Sequence, residues 1–498
     1  MKLLKKLTAA AVSALLMLCP GAVQATGEVP VKDSIKVDKI EFNNPDFIRG
    51  MDVSSVVSLE KAGVTFKTGG GEAEDLLKIL SDSGVNYIRV RVWNDPFDSS
   101  GNGYGGGNND LETAAEIGKR AADNGMKLLV DFHYSDFWAD PGKQKAPKEW
   151  SNLTVTQKEQ KLYDYTLSSL NYLKDNGADV GMVQVGNETN NGIAGEFEQK
   201  NMAKMFSAGS KAVRDFDRNA LVALHFTNPE KTGMVKYLAD FLNKYKVDYD
   251  VYATSYYPYW HGSLSNLTSV LSYVADTYGK YTMVAETSYA NTLADTDGHA
   301  NTVSEYNNNT GSDLLWDFTP QGQADEVRSV MAAVNDVPNG KGLGVFYWEG
   351  AWITVGDTTG KSGSSYTKQY NKNKALWESA GCGWASSFSA DFDPNDAGKY
   401  YGGSAVDNQA FFSPDGKALP SLNVFGNVIT GSITDDYILG DVNGDGTVTI
   451  SDATEIQRYI AKIKDFTPIQ RVSADFNLDG KINISDATSL QHFLVRVF

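Results

Sequence analysis

Two glutamates follow apolar runs that are typical of buried β-strands. One run, Val183-Gln184-Val185-Gly186-Asn187-Glu188, ends in Asn-Glu, and a second, Met283-Val284-Ala285-Glu286, ends in Glu. Two carboxyl groups are what cleavage of a glycosidic bond requires, because one protonates the leaving oxygen and the other attacks the anomeric carbon. A single glutamate at a strand end is more often an ion-pair partner, so the interpretation depends on the pair. The spacing therefore predicts glycosidic chemistry carried by Glu188 and Glu286.

Elements that could position this pair recur along the chain from Phe47 to about Phe425, where short apolar runs alternate with longer amphipathic segments. This alternation indicates βα units, and eight units in one domain predict an α/β fold, a closed (β/α)8 or TIM barrel. The predicted strands are Ile48–Val53, Tyr87–Trp93, Lys127–His133, Val180–Asn187, Leu221–Phe226, Tyr249–Tyr256, Thr282–Glu286 and Leu343–Glu349. Barrel active sites lie at the carboxyl ends of the strands, so strands four and seven bring the two glutamates to opposite sides of the mouth.

The other strand ends also carry polar and aromatic side chains. They are Arg89, Arg91 and Trp93, then Asp131 and His133, then His225, Tyr256 and Tyr257, and finally Trp348 and Glu349. Burying charge is costly unless it is paired, so packing alone does not explain such a set at one barrel mouth. Because side chains alternate along a strand, we predict that Trp348 faces the lumen and that Glu349 is a structural or rim residue. Arg91 is predicted to be structural.

Two segments carry a family resemblance. They are Arg89-Val-Arg91-Val-Trp93-Asn94-Asp95-Pro96 and Asp131-Phe-His133-Tyr-Ser-Asp136-Phe137-Trp138-Ala139-Asp140-Pro141. Together with Asn-Glu after strand four and Glu after strand seven, they resemble clan A of the glycoside hydrolases and, within it, family 53, the endo-β-1,4-galactanases. The resemblance implies a retaining enzyme that cuts galactan or the type I arabinogalactan of pectin. It also implies that Glu188 is the general acid/base and Glu286 the nucleophile.

Sugar-binding residues are expected around this pair. Arg89 and Tyr257 are the natural hydrogen-bond donors to Glu286, and the resemblance implies that Asn187 bonds the sugar 2-hydroxyl. The indoles predicted to stack against galactose are those of Trp138, Trp348 and one of Trp93 and Trp352. The complete predicted substrate-binding set is Arg89, Trp93, His133, Asp136, Trp138, Ala139, Asp140, Asn187, Tyr257 and Trp348.

A metal site is implied after strand seven, in Asp295-Thr-Asp297-Gly298-His299-Ala-Asn301. Its oxygen donors suit Ca²⁺, whereas an imidazole is an unusual ligand for that ion, so by itself the segment reads as a polar loop. Bacterial family 53 enzymes resemble it closely here and hold calcium between this loop and a later one, which matches Ser404-Ala-Val-Asp407. The implied ligands of one structural Ca²⁺ are Asp295, Asp297, His299, Asn301, Ser404 and Asp407, and no catalytic cofactor is expected.

A duplicated motif lies beyond a short linker at the C-terminus. The segment from Asp441 to Asp452 recurs from Asp475 to Asp486, and each copy runs into an amphipathic helix. Oxygen donors at loop positions 1, 3, 5, 9 and 12, with Gly at position 6, predict two Ca²⁺ loops of the EF-hand type. The first loop's predicted ligand positions are Asp441, Asn443, Asp445, Thr447 and Asp452, and the second's are Asp475, Asn477, Asp479, Lys481 and Asp486.

This repeat resembles a type I dockerin. The resemblance implies a small all-α module that binds a cohesin on a scaffoldin or cell-surface protein. Loop positions 10 and 11 are Ile450-Ser451 and Ile484-Ser485, where familiar dockerins have Ser-Thr, which leaves the cohesin type open. A calcium module that only stabilises the C-terminus is the less favoured alternative.

The N-terminus predicts export. Lysines at positions 2, 5 and 6 precede an apolar run and a small-residue site that ends at Ala25, which is typical of a signal peptide. The run is shorter than the roughly 20 residues that span a bilayer, so we expect no membrane span and an extracellular location in a cellulosome or at the cell surface. Lipidation at Cys19 is disfavoured because Met17-Leu18 are not small. The predicted domains are 1–25 signal peptide, 26–429 catalytic barrel, 430–438 linker and 439–498 dockerin.

The net charge and the motifs limit the alternative functions and partners that remain. A net charge of −17 argues against nucleic acid or an anionic membrane as the main partner. The clan motif alone does not choose the sugar, so a mannanase, cellulase or xylanase stays open, although the family segments favour galactan. A catalytically silent carbohydrate-binding subunit is the rival from another class, and the intact glutamate pair disfavours it. Product length, tolerance of arabinose branches and the cohesin type stay open.

Overall fold

The computed structural model describes residues 27–28, 34–304, 314–432, 437–477, 479 and 481–497. The chain divides into two compact units, one of residues 37–431 and the other of residues 1–36 together with 432–498. The division at 431 and 432 falls inside the predicted linker. The predicted signal peptide, residues 1–25, lies outside the described residues, so its assignment stays a prediction.

The larger unit is a closed barrel of eight parallel strands that pair in chain order, with the last strand pairing with the first. The strands are β1 (Ile48–Asp52), β2 (Tyr87–Val92), β3 (Lys127–Phe132), β4 (Val180–Val185), β5 (Leu221–Phe226), β6 (Val251–Ser255), β7 (Tyr281–Thr287) and β8 (Gly342–Tyr347). All eight predicted strands are present, which confirms the (β/α)8 class. Several end before the predicted residue, and β4 stops at Val185, so Asn187 and Glu188 lie in the loop that follows it.

Helices surround this barrel. They are α1 (Val56–Lys61), α2 (Leu76–Asp82), α3 (Leu111–Asp123), α4 (Val155–Asp175), α5 (Gln199–Phe216), α6 (Met234–Lys244), α7 (Leu264–Tyr278), α8 (Pro320–Asn335), α9 (Gly363–Ala380), α10 (Ala397–Tyr400) and α11 (Val424–Thr430). Local sequence sets where several begin. Thr154 and Gln157 form a capping box at α4, and Pro320 is at the first turn of α8, whose N-cap is Thr319.

The barrel interior is filled by apolar side chains, so the lumen is a packed core and not a channel. Its members include Ile48, Leu129, Met182, Ala223, Val251, Met283 and Phe346. Gly50 on β1 makes room for the largest of them, because a Cβ at this position would lie 2.2 Å from the ring of Phe346. This packed floor leaves the strand ends as the place where polar side chains meet.

The smaller unit contains the C-terminal repeat. Its helices are α12 (Ile450–Ile460), α13 (Pro468–Ala474) and α14 (Ile484–Val497), and α12 packs against α14. A two-residue strand, Lys481–Ile482, pairs antiparallel with Gly27–Glu28, so the module is helical apart from this short ribbon. The buried core is small and comprises Val442, Ala453, Ile456, Phe466, Ala474, Ile482, Ala487 and Leu490. In the described parts of both units, no helix is long and apolar enough to cross a membrane.

Candidate active site

A cleft of about 520 Å³ opens at the carboxyl ends of the barrel strands. It is lined by ten of the twelve side chains predicted to act on or bind the substrate, which are Arg89, His133, Trp138, Ala139, Asp140, Asn187, Glu188, Tyr257, Glu286 and Trp348. These residues come from several separate strands, as expected for a barrel site. The two glutamates therefore lie in one cleft, although nearly 100 residues separate them in sequence.

Glu286, on β7, is held by two hydrogen-bond donors. Arg89 Nη2 donates to its Oε1 at 2.8 Å, and the Tyr257 hydroxyl donates to its Oε2 at 2.9 Å. Burial raises the pKa of Glu286, while the charge of Arg89 and the hydroxyl of Tyr257 act in the opposite direction. Both carboxylate oxygens thus face donors, an arrangement that suits an ionised group.

Arg89 is almost fully buried and connects Glu286 to the rest of the site. Its guanidinium donates to Asp52 Oδ2 at 2.9 Å, to Asp131 Oδ2 at 2.8 Å and to Asn187 Oδ1 at 3.0 Å. A buried cation of this kind is tolerated because carboxylates surround it. The same contacts orient Asn187, whose Nδ2 donates to the carbonyl of Ala139 at 2.9 Å.

Glu188 has different surroundings from Glu286. Its backbone is in the left-handed region, with φ at 46°, which turns the side chain out of the line of β4. Ser255 Oγ lies 2.6 Å from Glu188 Oε1, and Thr227 is a second hydroxyl within hydrogen-bonding reach. Burial, followed by the negative charge of Glu286, raises the pKa of Glu188 to about 8. The carboxyl group is therefore largely protonated at neutral pH, as a general acid must be.

Three indoles form one wall of the cleft. The rings of Trp138 and Trp352 are nearly parallel at 6.5 Å, and Trp348 lies 6.3 Å from Trp138. The guanidinium of Arg91 lies 4.5 Å from the centre of the Trp138 ring, and Arg91 is paired with the buried carboxylate of Glu349. Arg91 thus supports the aromatic wall through a cation–π contact.

Two residues of the predicted sugar-binding set do not line this cleft, so the structure corrects both predictions. Trp93 is fully buried, and its Nε1 donates to His133 Nδ1 at 3.0 Å. Asp136 is buried as well, and its carboxylate accepts the backbone N–H groups of Asp95 at 3.1 Å and Lys148 at 2.7 Å. The polar atoms of both side chains thus bond within the loop framework and lie away from the cleft lining.

The structure adds polar residues that the sequence did not single out. Thr227 and Trp384 line the cleft, and Ser255 contacts Glu188 directly. The signal for Ser255 was its place at the end of the sixth strand, and Thr227 directly follows Phe226, the last residue of the fifth. One further polar residue of the lining, Lys143, is paired with Asp393 and Asp396.

The loop after β7 and a later segment beyond β8 bring three carboxylates together. Oxygens of Asp295, Asp297 and Asp407 lie within 4.8 Å of one another. Burial and the charge of Asp407 raise the pKa of Asp297 well above its usual range. Asn301 Nδ2 donates to Asp407 at 2.6 Å, and its buried Oδ1 has no hydrogen-bond partner among the residues that the structure describes. Clustered carboxylates with an unsatisfied amide oxygen fit a hard cation such as Ca²⁺.

The other two residues predicted for this site are placed differently. The imidazole of His299 lies beside Trp377, with ring centres 6.2 Å apart, and it is not part of the carboxylate group. Ser404 is adjacent, but it presents its backbone N–H to Asp297 at 2.8 Å. The assignment of His299 and Ser404 as calcium ligands therefore stays a prediction, whereas the three carboxylates already lie together.

The loops of the C-terminal repeat wrap around their first and last aspartates. The Asp441 carboxylate accepts the N–H groups of Gly444 at 2.9 Å and Gly446 at 2.8 Å. Asp452 accepts those of Val442 and Asn443, and Asp486 accepts those of Asn477 and Asn483. Asn443 and Asp445, like Asn477 and Asp479, follow within each loop, and Thr447 and Lys481 occupy position 7, where an EF-hand loop uses its backbone carbonyl.

Comparison with known proteins identifies both parts of the chain. The family model described as Glycosyl hydrolase family 53 matches residues 48–425. The chain belongs to glycosyl hydrolase family 53. Residues 439–495 match the model described as Dockerin type I domain. Both predicted resemblances are confirmed, and with them the prediction that this family 53 chain is a glycoside hydrolase.

Individual relatives agree with this membership. The chain is 57% identical over 401 residues to the endo-beta-1,4-galactanase of Bacillus subtilis (strain 168), covering 80% of this chain and 90% of that protein. It is 33% identical over 355 residues to the arabinogalactan endo-beta-1,4-galactanase of Cellvibrio japonicus (strain Ueda107), covering 67% and 90%. The solved Ignisphaera aggregans GH53 catalytic domain superposes with a TM-score of 0.66 at 34% identity, covering 78% of this chain and 99% of that one.

Proposed function

We propose that this family 53 protein is a secreted, retaining endo-β-1,4-galactanase that is attached through its dockerin to a cohesin-bearing assembly. The observation that carries the proposal is the cleft itself, where Glu188, whose pKa is raised by burial, lies with Glu286, whose two oxygens accept from Arg89 and Tyr257. The substrate is inferred from family membership and from the names of the bacterial relatives. Galactan and the type I arabinogalactan of pectin are the polysaccharides that this assignment implies.

The mechanism that fits is double displacement. Glu286, held by Arg89 and Tyr257, attacks the anomeric carbon and forms a glycosyl ester, while the bond to the leaving oxygen breaks. Glu188 gives its proton to that oxygen. In the second step Glu188 takes a proton from water, which attacks the anomeric carbon and releases Glu286 as a carboxylate. The configuration of the anomeric carbon is inverted twice and so retained.

Neighbouring side chains orient the sugar in this scheme. Asn187, whose amide is fixed by Arg89, would bond the 2-hydroxyl, where contacts strengthen in the transition state. Trp138 and Trp348 would pack against the CH faces of galactose. His133, Asp140 and the loop at Ala139 complete the lining on the β3 side.

Calcium is proposed at three places, with a structural role in each. One ion would tie two loops beside the cleft, and its proposed ligands are Asp295, Asp297, His299, Asn301, Ser404 and Asp407. The two loops of the dockerin would each hold one ion, because type I dockerins carry EF-hand-like repeats. Metal binding would supply much of the folding free energy of this small module.

The C-terminal module also determines the proposed partner and location. A cohesin on a scaffoldin or cell-surface protein would bind the dockerin, and the N-terminal signal sequence would direct the chain to the outside of the cell. No role is proposed for nucleic acid, in keeping with the net charge of −17.

The proposed activity is tested by measuring reducing-sugar release from galactan, arabinogalactan, mannan and xylan, with Glu286→Ala as the inactive control. We expect galactan to be the preferred substrate and Glu286→Ala to release no sugar from any of the four. Proton NMR of the first-formed product should show the β-anomer. Faster hydrolysis of mannan or xylan would overturn the substrate assignment, and an initial α-anomer would overturn the retaining mechanism.

A further inference from the structure

Two hydroxyl groups contact Glu188, and a histidine lies behind each of them. Ser255 Oγ is 2.6 Å from Glu188 Oε1 and 2.9 Å from His225 Nε2. Thr227, which also reaches Glu188, has His261 Nε2 at 3.5 Å from its Oγ1. A hydroxyl has only one hydrogen to donate, so the tautomer of each histidine decides whether its hydroxyl donates to Glu188 or accepts from it.

His261 is restricted to one tautomer by the backbone. Its Nδ1 accepts the N–H of Tyr257 at 3.0 Å, so the ring proton is on Nε2 and points towards Thr227. Burial lowers the pKa of His261 to about 3, so the ring is neutral at working pH. Thr227 receives this proton as an acceptor, and its own hydrogen is available to donate to the Glu188 carboxylate.

His225 has the opposite arrangement. Its Nδ1 is 2.9 Å from Asn187 Oδ1, and that oxygen is identified as an acceptor because Arg89 Nη2 donates to it. A contact with an acceptor requires the ring proton on Nδ1, which leaves Nε2 as a lone pair that receives the hydrogen of Ser255. Burial lowers the pKa of His225 well below its usual value, so the ring carries one proton only.

Two hydrogen-bond donors also lie near His225 Nδ1 and would favour the other tautomer, in which Nδ1 is an acceptor. Gln184 Nε2 lies 3.0 Å away, but it also donates to Asp131 Oδ1 at 2.6 Å. Its second hydrogen has two other acceptors, Asn187 Oδ1 at 3.1 Å and the carbonyl of Gly186 at 3.2 Å. The N–H of Glu188 is farther from Nδ1, at 3.4 Å. Gln184 therefore has acceptors for both hydrogens without using His225, whereas Asn187 Oδ1 is the shortest contact of that nitrogen.

We propose that Ser255 and Thr227 are positioning residues with opposite effects on the protonation of Glu188. Ser255, which donates its own hydrogen to His225, accepts the proton of the Glu188 carboxyl group. Thr227, which accepts the Nε2–H of His261, donates to the Glu188 carboxylate. Ser255 then stabilises the protonated form that the first step of hydrolysis consumes, and Thr227 stabilises the ionised form that the second step needs. The other titratable and charged groups facing Glu188 are Glu286, Asp140 and Tyr257, with Arg89 behind them. The inference depends on the proposed role of Glu188 as the acid/base.

The pH dependence of kcat/KM on galactan distinguishes the effect of Ser255 on Glu188 from that of Thr227. Removing an acceptor destabilises the protonated acid, so Ser255→Ala should move the alkaline limb to lower pH by about one unit. Removing a donor acts the other way, so Thr227→Val should move the same limb to higher pH. As a control, Thr189→Val deletes a buried hydroxyl that donates to the backbone carbonyl of His225, and it should leave the limb in place. An upward or absent shift in Ser255→Ala would overturn the proposal.

The tautomers can be observed without any activity measurement. In wild-type protein labelled with ¹⁵N-histidine, five imidazoles contribute, and His225 is assigned from the resonances lost in His225→Gln. We expect Nδ1–H for His225 and Nε2–H for His261. His133 is an internal reference for the Nε2–H form, because its Nδ1 accepts from Trp93 Nε1 at 3.0 Å and Ala139 N at 3.1 Å. An Nε2–H His225 would sink the inference and leave the proposed galactanase activity untouched.

Discussion

The neighbours of the two cleft glutamates assign them different chemistry. Glu286 has a guanidinium and a phenol hydroxyl on its two oxygens, whereas Glu188 has hydroxyls only and lies near a second carboxyl group. Charge on Glu286 is therefore stabilised directly, and charge on Glu188 is opposed by burial and by Glu286. Both residues are glutamates, so the difference in their expected chemistry arises from their local contacts.

Substitution of each glutamate separates the two roles. Glu188→Ala should slow galactan hydrolysis about 10²–10⁴-fold, the usual contribution of a general acid. It should slow cleavage of an aryl galactoside with a good leaving group much less, since that substrate needs no proton, and azide should restore turnover. Glu286→Ala should be inactive on both substrates. Equal behaviour of the two variants in these assays would contradict the assigned roles.

The raised pKa of Glu188 predicts where activity is lost at high pH. The acid works while protonated, so kcat/KM on galactan should fall as the pH rises through about 8, the pKa of Glu188 in the free protein. The aryl galactoside is the control, because its good leaving group departs without the proton of Glu188. Its first, glycosylation step should show no such alkaline limb, and an identical limb on both substrates would assign the transition to another group.

Among the barrel helices, α8 contains a buried carboxyl group outside the site. Glu326 is almost fully buried, its Oε1 has no hydrogen-bond partner within the described part of the chain, and burial raises its pKa to about 7. The folded state thus holds a proton that the unfolded chain releases near pH 4.5. Stability from this group is fully present below pH 4.5 and is lost as the pH rises through 7.

Replacing Glu326 with Gln should remove this dependence. At pH 8 the variant should exceed the wild type in free energy of unfolding by up to about 3 kcal/mol, and near pH 4 the two should be similar. Urea denaturation at several pH values measures the difference. Glu116→Gln is the matched control, because Glu116 is exposed on α3 and its loss should change stability by less than about 0.5 kcal/mol at either pH. A pH-independent difference for Glu326→Gln would contradict this account.

The loops that carry Asp297 and Asp407 should depend on calcium. In a background with Asp441→Ala and Asp475→Ala, added Ca²⁺ should raise the melting temperature of the barrel, because an ion that binds only the folded state stabilises it. Adding Asp407→Ala to this background should abolish the increase while leaving the barrel folded. Differential scanning calorimetry with and without chelator measures both effects. An equal increase in the Asp407→Ala variant would place the calcium site elsewhere.

The whole chain combines a large core with a small one. The barrel has a packed lumen and a surrounding helical layer, whereas the core of the dockerin comprises eight buried apolar residues among those that the structure describes. A core of that size alone hardly offsets the entropy of ordering the chain, so the dockerin should need its metal to fold. The two activities of the protein should then be separable.

Double substitution of Asp441 and Asp475 with Ala tests this separation. Cohesin binding, followed by surface plasmon resonance, should be lost, while the rate of galactan hydrolysis should stay within about twofold of the wild type, since both changes lie outside the barrel unit. Chelation should abolish binding in the same way and leave the barrel folded. Loss of hydrolysis together with docking, or full docking in chelator, would contradict the proposed division of labour.

Much of the molecule could be predicted from local sequence. Residue types at short spacing indicate the eight strands, the two glutamates and the paired calcium loops. Such patterns can be recognised without knowing which distant residues are in contact. Trp348, predicted to face the lumen, lines the cleft, although it lies one residue beyond the end of β8. The proposed catalytic pair could be found for the same reason, because each glutamate closely follows an apolar run.

Only the tertiary structure decided which polar side chains face the cleft once the strands have ended. Alternation no longer applies there: Glu188 and Glu349 both have positive φ, and Trp93 turns into the loop framework beside His133. Asp136 and Ser255 show the same limit, since their positions are set by partners from other strands and loops. The direction of a side chain in a loop depends on contacts distant in sequence, which residue spacing does not encode.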